Sequence, residues 1–229
     1  MTDRRTELAA NLAAVHDRVA IACADVGRDR GEVEVIVVTK TYPRADAETL
    51  VGLGVTDLGE NRHPEAADKA VEGARLHFVG GLQTNKAGAV ARYADVVHSV
   101  DRLKLARSLA RGAQAAERTL GALVQVDFQE GADAGRAGIA PGDALTLADE
   151  IAALPGLRLD GLMTVAPLGV DPRPVFDTLA DLGERLRRDH PEATMVSAGM
   201  SGDLEAAVAA GATHLRIGRA VLGERPNVV

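Results

Sequence analysis

EVIVVTK, residues 34–40, and GALVQVDF, residues 121–128, decide how this chain folds. Val35, Ile36, Val37 and Val38 are four β-branched apolar residues in succession, with no polar residue at every second place. A strand with one wet face alternates. An unbroken apolar run belongs to a strand covered on both faces, as in a parallel sheet packed between helices.

Outward from these two stretches the same kind of run recurs. Strand candidates occupy 35–39, 55–58, 76–79, 95–98, 123–128, 157–164, 194–197 and 213–217, with helical patterns between them. Before the first lies a stripe of Leu8, Leu12, Val15 and Val19, with Gly27 placed to end that helix. Asp171-Pro172 reads as a cap followed by a first-position proline, and Val175, Leu179, Leu182 and Leu186 repeat the stripe. Ser201-Gly202-Asp203 opens another helix with acids in its first turn and Gly211 past its end. Eight β-runs alternating with helices predict an α/β fold, a single (β/α)8 TIM-type barrel with an extra N-terminal helix, a fold of about 250 residues. An open doubly wound sheet is the alternative, and it usually has fewer strands at this length. No linker or charge block divides the 229 residues, so 1–229 is expected to be one domain.

Composition removes several function classes. Lys and Arg total 26 against 33 Asp and Glu, a formal charge of −7, which is the wrong sign for a phosphate backbone. Aromatic residues are 2% of the chain with no Trp, leaving few faces on which bases stack. No nucleic-acid partner is expected. Cys23 is the only cysteine, so neither an intramolecular disulfide nor a cysteine-based zinc cluster can form, and it reads as a small buried apolar group. The opening MTDRRTELAA is too charged for a secretory signal, and no apolar run is long enough to span a bilayer. A cytoplasmic protein with no membrane partner is the expectation.

In such a barrel the chemistry collects where strands run into loops at their carboxyl ends. Those ends carry Thr39-Lys40-Thr41, Gly59-Glu60-Asn61-Arg62, the segment from Gly80 to Lys86, His98-Ser99, Ser197-Ala198-Gly199-Met200-Ser201 and Arg216-Ile217-Gly218-Arg219. The last two loops contain glycine and each enters a helix, which suits phosphate, because glycine admits close approach and first-turn N–H groups point at an anion. Ser201 adds a hydroxyl donor there or caps the helix; tight turns are the plain alternative. Lys40 follows a wholly apolar strand. Partial burial lowers an amine's pKa, and a neutral amine attacks an aldehyde to form a Schiff base; a solvated loop lysine or ion-pair partner is the other reading. Arg216 interrupts an apolar run and needs an acceptor: a carboxylate such as Glu60, a ligand nitrogen above the strand ends, or both, since the two roles are compatible. The six histidines, at 16, 63, 77, 98, 190 and 214, show no metal-binding spacing, so structural roles are expected and no metal site is assigned.

With Lys40, GEN, HFVGGLQTNK, GLMTVAP, SAGMSGDLEAAVAAG and RIGRAVLG in this order, the chain resembles the pyridoxal phosphate homeostasis family, also called the YggS or PLPBP family. The resemblance covers nearly the whole chain. It implies one barrel similar to the N-terminal domain of alanine racemase, with pyridoxal 5′-phosphate (PLP) at the strand ends. The lysine that holds the cofactor as an aldimine falls on Lys40, and the asparagine near its ring on Asn61. The implied phosphate contacts fall on Ser197, Gly199, Met200, Ser201 and Gly218, and the arginine near the pyridine nitrogen is Arg216. A permanent cation there disfavours protonating the ring and weakens it as an electron sink. The chain departs from the pattern at four places. Arg219 replaces a threonine, so contact there falls to its backbone N–H or its guanidinium. Gly81 replaces a proline, His63-Pro64-Glu65 replaces Val-Gln-Glu, and Arg136 replaces a lysine before Ala137-Gly138-Ile139.

The resemblance and the residues together favour a carrier. Alanine racemase takes its second base, a tyrosine, from a C-terminal β-domain, whereas this sequence stops at Val229, eleven residues past Gly218. Its two tyrosines are Tyr42 and Tyr93, and Pro43 turns the chain away from the mouth after Tyr42. The expectation is a PLP-holding protein acting in intracellular PLP homeostasis and delivery, with no catalytic residue assigned. Its partners would be PLP and, transiently, PLP-dependent apo-enzymes, and it would be a monomer. A PLP-dependent racemase or lyase acting on small amino acids is the alternative. A Schiff-base aldolase or metal-dependent hydrolase on the same barrel is a further rival.

Overall fold

The computed structural model describes residues 3–129, 138–167 and 169–223. Eight strands, β1 (Glu34–Val38), β2 (Asp57–Glu60), β3 (Arg75–Phe78), β4 (Val96–Val100), β5 (Leu120–Gln125), β6 (Leu157–Met163), β7 (Met195–Ser197) and β8 (His214–Ile217), close in sequence order into a barrel. Every neighbouring pair is parallel, and β8 pairs with β1 to shut the cylinder. The helices are α1 (Arg4–Asp25), α2 (Arg44–Val51), α3 (Ala87–Val90), α4 (Leu103–Ala115), α5 (Ala144–Ala152), α6 (Arg173–Asp189), α7 (Leu204–Ala209) and α8 (Arg219–Leu222). The barrel expected from the apolar runs is therefore the barrel observed, with α1 as its additional N-terminal helix.

The strand period of two divides each apolar run between two environments. Val35 and Val37 join the core shared with the helices, whereas Ile36 is buried outside that cluster. Inside the barrel Val96, Leu123 and Met163, with Met195 packed on them, form a separate small core. The α1 stripe of Leu8, Leu12, Val15 and Val19 is buried together with Cys23. That helix ends at Gly27, where Arg28 N–H reaches back to the Cys23 carbonyl at 2.9 Å. α6 begins one residue later than expected: Pro172 takes the cap position, and Asp171 Oδ1, just before it, accepts the Arg173 N–H at 3.0 Å.

Three strands differ from the sequence reading by two residues or more; β4 runs on to Val100 instead of ending at His98. β5 runs Leu120–Gln125 and not 123–128. Leu120 and Ala122 already pack into the outer core, and beyond Gln125 the chain keeps only a bridge from Val126 to Ile139. Asp127 then accepts the N–H of Gln129 in a local turn, which ends the strand despite Phe128. β2 sits two residues later than expected, at Asp57–Glu60.

Candidate functional site

The closure of the barrel brings the lysine and the two glycine loops together. β1 and β8 pair with Ile36 beside Arg216 and Val37 beside Ile217. Continuing that register sets Gly218 against Val38, and a Cβ on Gly218 would lie 3.3 Å from the Val38 carbonyl. Lys40 lies two residues beyond Val38, on the same side of the alternation as Ile36. The chain then reverses sharply. Tyr42 N–H bonds to the Thr39 carbonyl at 3.1 Å, and Thr41 takes φ 71°, a region that a β-branched residue rarely occupies.

The loop after β7 is held from behind. Gly199 has φ 87°, and a Cβ there would stand 2.5 Å from the Ala207 side chain, so only glycine lets α7 pack this close. Met200 N–H donates to Asp203 Oδ1 at 2.6 Å, which fixes the turn; Asp203, not Ser201, precedes the first helical residue. Gly218 leads directly into α8, whose first residue is Arg219. The Gly218 carbonyl accepts the Val221 and Leu222 N–H groups at 3.0 Å, and the Asp203 carbonyl that of Ala207 at 3.1 Å, which sets the starts of α8 and α7.

Arg216 is buried, and its partners correct one expectation. It does not meet Glu60. Nη1 donates to Ser197 Oγ and Nη2 to the Thr164 carbonyl, both at 2.7 Å. Glu60 follows Leu58 onto the helix-facing side of β2, where Lys69 Nζ reaches it at 2.9 Å and Thr39 Oγ1 at 2.6 Å. Burial lowers the Arg216 guanidinium to about 10, and the Asp203 carboxylate works in the opposite direction.

One cavity of about 620 Å³ collects these groups at the carboxyl ends of the strands. That volume falls within the usual range of small-molecule sites. Lys40, Met200, Ser201, Arg216, Gly218 and Arg219 line it. Its charged lining is three cations, Lys40, Arg216 and Arg219, against the carboxylate of Asp203, so an acidic chain presents a positive pocket. Three other candidates do not line it. Ser197 lies wholly buried against Arg216. Gly199 packs against α7, and the Asn61 backbone lies so close to Gly80 that a Cβ there would be 2.2 Å from the Asn61 carbonyl.

Sequence reading missed the opposite wall. The segment after β6 contributes Val165, Ala166, Pro167, Gly169, Val170 and Pro172. Val165 and Val170 are exposed large aliphatics, a signal available in the sequence only as apolar residues inside a proline- and glycine-containing loop. Tyr42 donates to the Gly223 carbonyl at 2.7 Å, and Tyr93 stacks on His63 with its hydroxyl 3.2 Å from Nδ1. Burial, with the Glu60 charge, pushes the Tyr93 phenol up to about 12. Neither tyrosine is among the described residues lining the cavity. Of the departures from the family pattern, Gly81 faces open space and Arg219 lines the cavity, while Arg136 and Ala137 lie outside the described residues.

The sequence pattern of the alanine racemase N-terminal domain matches residues 10–226. The pyridoxal phosphate homeostasis protein of Mycobacterium tuberculosis H37Rv is 38% identical over 97% of this chain and 95% of its own. The protein of that name from Escherichia coli K12 is 35% identical, over 96% and 97%. Among solved structures, PipY of Synechococcus elongatus PCC7942 with PLP bound superposes with a TM-score of 0.80 at 30% identity, covering 94% of this chain and all of PipY. A shared barrel, a match along nearly the whole length and this degree of identity place the chain in the alanine racemase N-terminal domain family, among the pyridoxal phosphate homeostasis proteins.

Proposed function

We propose that this chain, folded as one cofactor-binding domain, binds PLP in the cavity at the strand ends. It acts in PLP homeostasis and delivery inside the cell, without substantial turnover. The observation that carries the reading is that an amine, a buried guanidinium and two glycine turns entering helices all face one small-molecule cavity. PLP supplies an aldehyde able to condense with a primary amine. Lys40 provides that amine, on a turn fixed by Thr39 and Thr41. Met200, Ser201, Gly218 and Arg219 receive the phosphate, with Gly199 letting the loop close on α7. Arg216 directs its remaining N–H groups to the ring nitrogen, and Ser197 holds Arg216 from below. Asn61 does not line the cavity, and its place beside the ring rests on the family resemblance alone. The positive lining suits a phosphorylated anion, and the apolar wall after β6 suits the face of a heterocycle. The relatives' names and the PLP-bound PipY structure support the same assignment. With both tyrosines committed elsewhere, a second base opposite Lys40 is not supplied from them, which favours holding over racemisation. The carrier is taken as a cytoplasmic monomer that meets apo-enzymes transiently.

Protein reconstituted with PLP should show a visible absorption band that Lys40→Ala abolishes. Borohydride should fix the ligand mass on the peptide containing Lys40. A colourless reconstituted protein, or label on Lys86, overturns the reading.

A further inference from the structure

Five strands carry one continuous hydrogen-bonded line through the barrel interior. Asp57 Oδ1 lies 2.8 Å from His77 Nε2, and His77 Nδ1 lies 2.8 Å from His98 Nε2. His98 Nδ1 is 3.0 Å from Ser197 Oγ, which accepts from Arg216 Nη1 at 2.7 Å. His77, His98 and Ser197 have no exposed surface, and Asp57 is 1% exposed. At the far pole Asp57 also accepts from Arg75 Nε at 2.8 Å and from Thr56 Oγ1 at 2.7 Å.

The ends of this line dictate its direction. A guanidinium only donates, and an ionised carboxylate only accepts. With both rings neutral, a single arrangement satisfies every link. Ser197 O–H donates to His98 Nδ1, His98 Nε2–H to His77 Nδ1, and His77 Nε2–H to Asp57. Reversing the line would aim a ring lone pair at the carboxylate or require an added proton on His77. Burial holds His98 well below the ordinary histidine range, with the Arg216 cation acting in the same direction. Burial alone would raise Asp57, yet hydrogen bonds from His77, Arg75 and Thr56 hold its carboxyl below the usual carboxylate range. Elsewhere the interior is filled by Val96, Leu123 and Met163. Apolar side chains at these positions would avoid the desolvation cost of a carboxylate and two imidazoles. What the polar line gains is a fixed direction ending at Arg216.

We propose that Asp57, His77, His98 and Ser197 form a positioning relay that clamps the Arg216 guanidinium against the Thr164 carbonyl and presents its remaining N–H edge to the cavity. The relay is a property of the protein itself. Its consequence, an orientation and charge at Arg216 felt by the ring of a bound PLP, rests on the proposed function.

Ligand-free protein labelled with 15N-histidine tests the relay at neutral pH. His98 should be neutral and protonated on Nε2, its Nδ1 accepting from Ser197; a charged His98 ring, or a proton on its Nδ1, overturns it. In Asp57→Asn the ring N–H signal of His98, which does not touch residue 57, should shift or disappear. A His98 signal identical to wild type overturns the coupling. The absorption band of PLP-loaded Asp57→Asn should be displaced from that of loaded wild type, and an unmoved band overturns the reach to the ligand. The ring assignments need no PLP, so they stand or fall apart from the proposed function, and the wild-type measurement is decisive even if the variant does not fold.

Discussion

Lys69 Nζ lies 2.9 Å from Glu60 Oε1, with the two side chains 9% and 1% exposed, and also donates to the Thr39 carbonyl at 2.8 Å. The buried pair thus braces the residue immediately before Lys40. Removing one partner strands a buried charge, which costs about 3–5 kcal/mol. Lys69→Met should lower the urea midpoint by a corresponding amount and weaken PLP uptake. Adding Glu60→Leu in the same chain should return most of the stability. A wild-type midpoint in the single variant would show that the pair contributes nothing.

Gly199→Ala places a methyl group at φ 87°, 2.5 Å from Ala207. Holding a non-glycine residue in such a region costs about 1–3 kcal/mol, and the contact adds to it. Thermal unfolding should occur at lower temperature, and affinity for inorganic phosphate or PLP should fall as the β7 loop is pushed from α7. Unchanged affinity in a folded variant would separate Gly199 from the anion site.

Thr41 offers the opposite case. Its φ of 71° costs a β-branched residue roughly 1–2 kcal/mol. Thr41→Gly should leave the unfolding midpoint level or raise it. Thr49→Gly, within α2, should reduce stability by about 0.3–0.5 kcal/mol and lower the midpoint accordingly. Equal losses at the two positions would remove strain at Thr41 as an explanation.

Acid unfolding should proceed in two stages. His98 and His214 have folded pKa values depressed below the ordinary histidine value by burial, His214 to about 4. The unfolded chain therefore takes up these protons first. Their contribution is fully present above about pH 6.5 and is lost as pH falls from there toward 4. Asp57, also depressed in the folded state, keeps its contribution above about pH 4 and loses it below. Stability measured by urea titration across pH 7 to 3 should show His214→Gln flattening the upper part and Asp57→Asn the lower. Parallel curves for wild type and both variants would contradict this order.

Much of the barrel was legible because the deciding signal is local. Val35 to Val38 cannot sit in a half-wet strand, and the loops after β7 and β8 carry their glycines within a few residues of their helices. Lys40 stands out for the same reason, as the first charge after an apolar run, and it lines the cavity. The Arg216–Glu60 pairing was misjudged because strand parity decides facing. Glu60 shares the side of Leu58, while Arg216 shares that of Ile36. The relay was illegible, since its members come from five strands and no spacing links 57, 77, 98, 197 and 216. Its one trace was that His77, His98 and Arg216 each sit inside an apolar run, where an ionisable side chain needs a partner. The wall after β6 was missed because apolar residues in a loop resemble an ordinary turn until the barrel closes.

The small aliphatic cluster of Val96, Leu123, Met163 and Met195 fills part of the barrel interior with side chains, apart from the residues that line the cavity at the strand ends. On the cavity side that faces solvent stand the exposed Val165 and Val170. If the proposed function holds, those two valines are the apolar surface that a receiving protein would meet first.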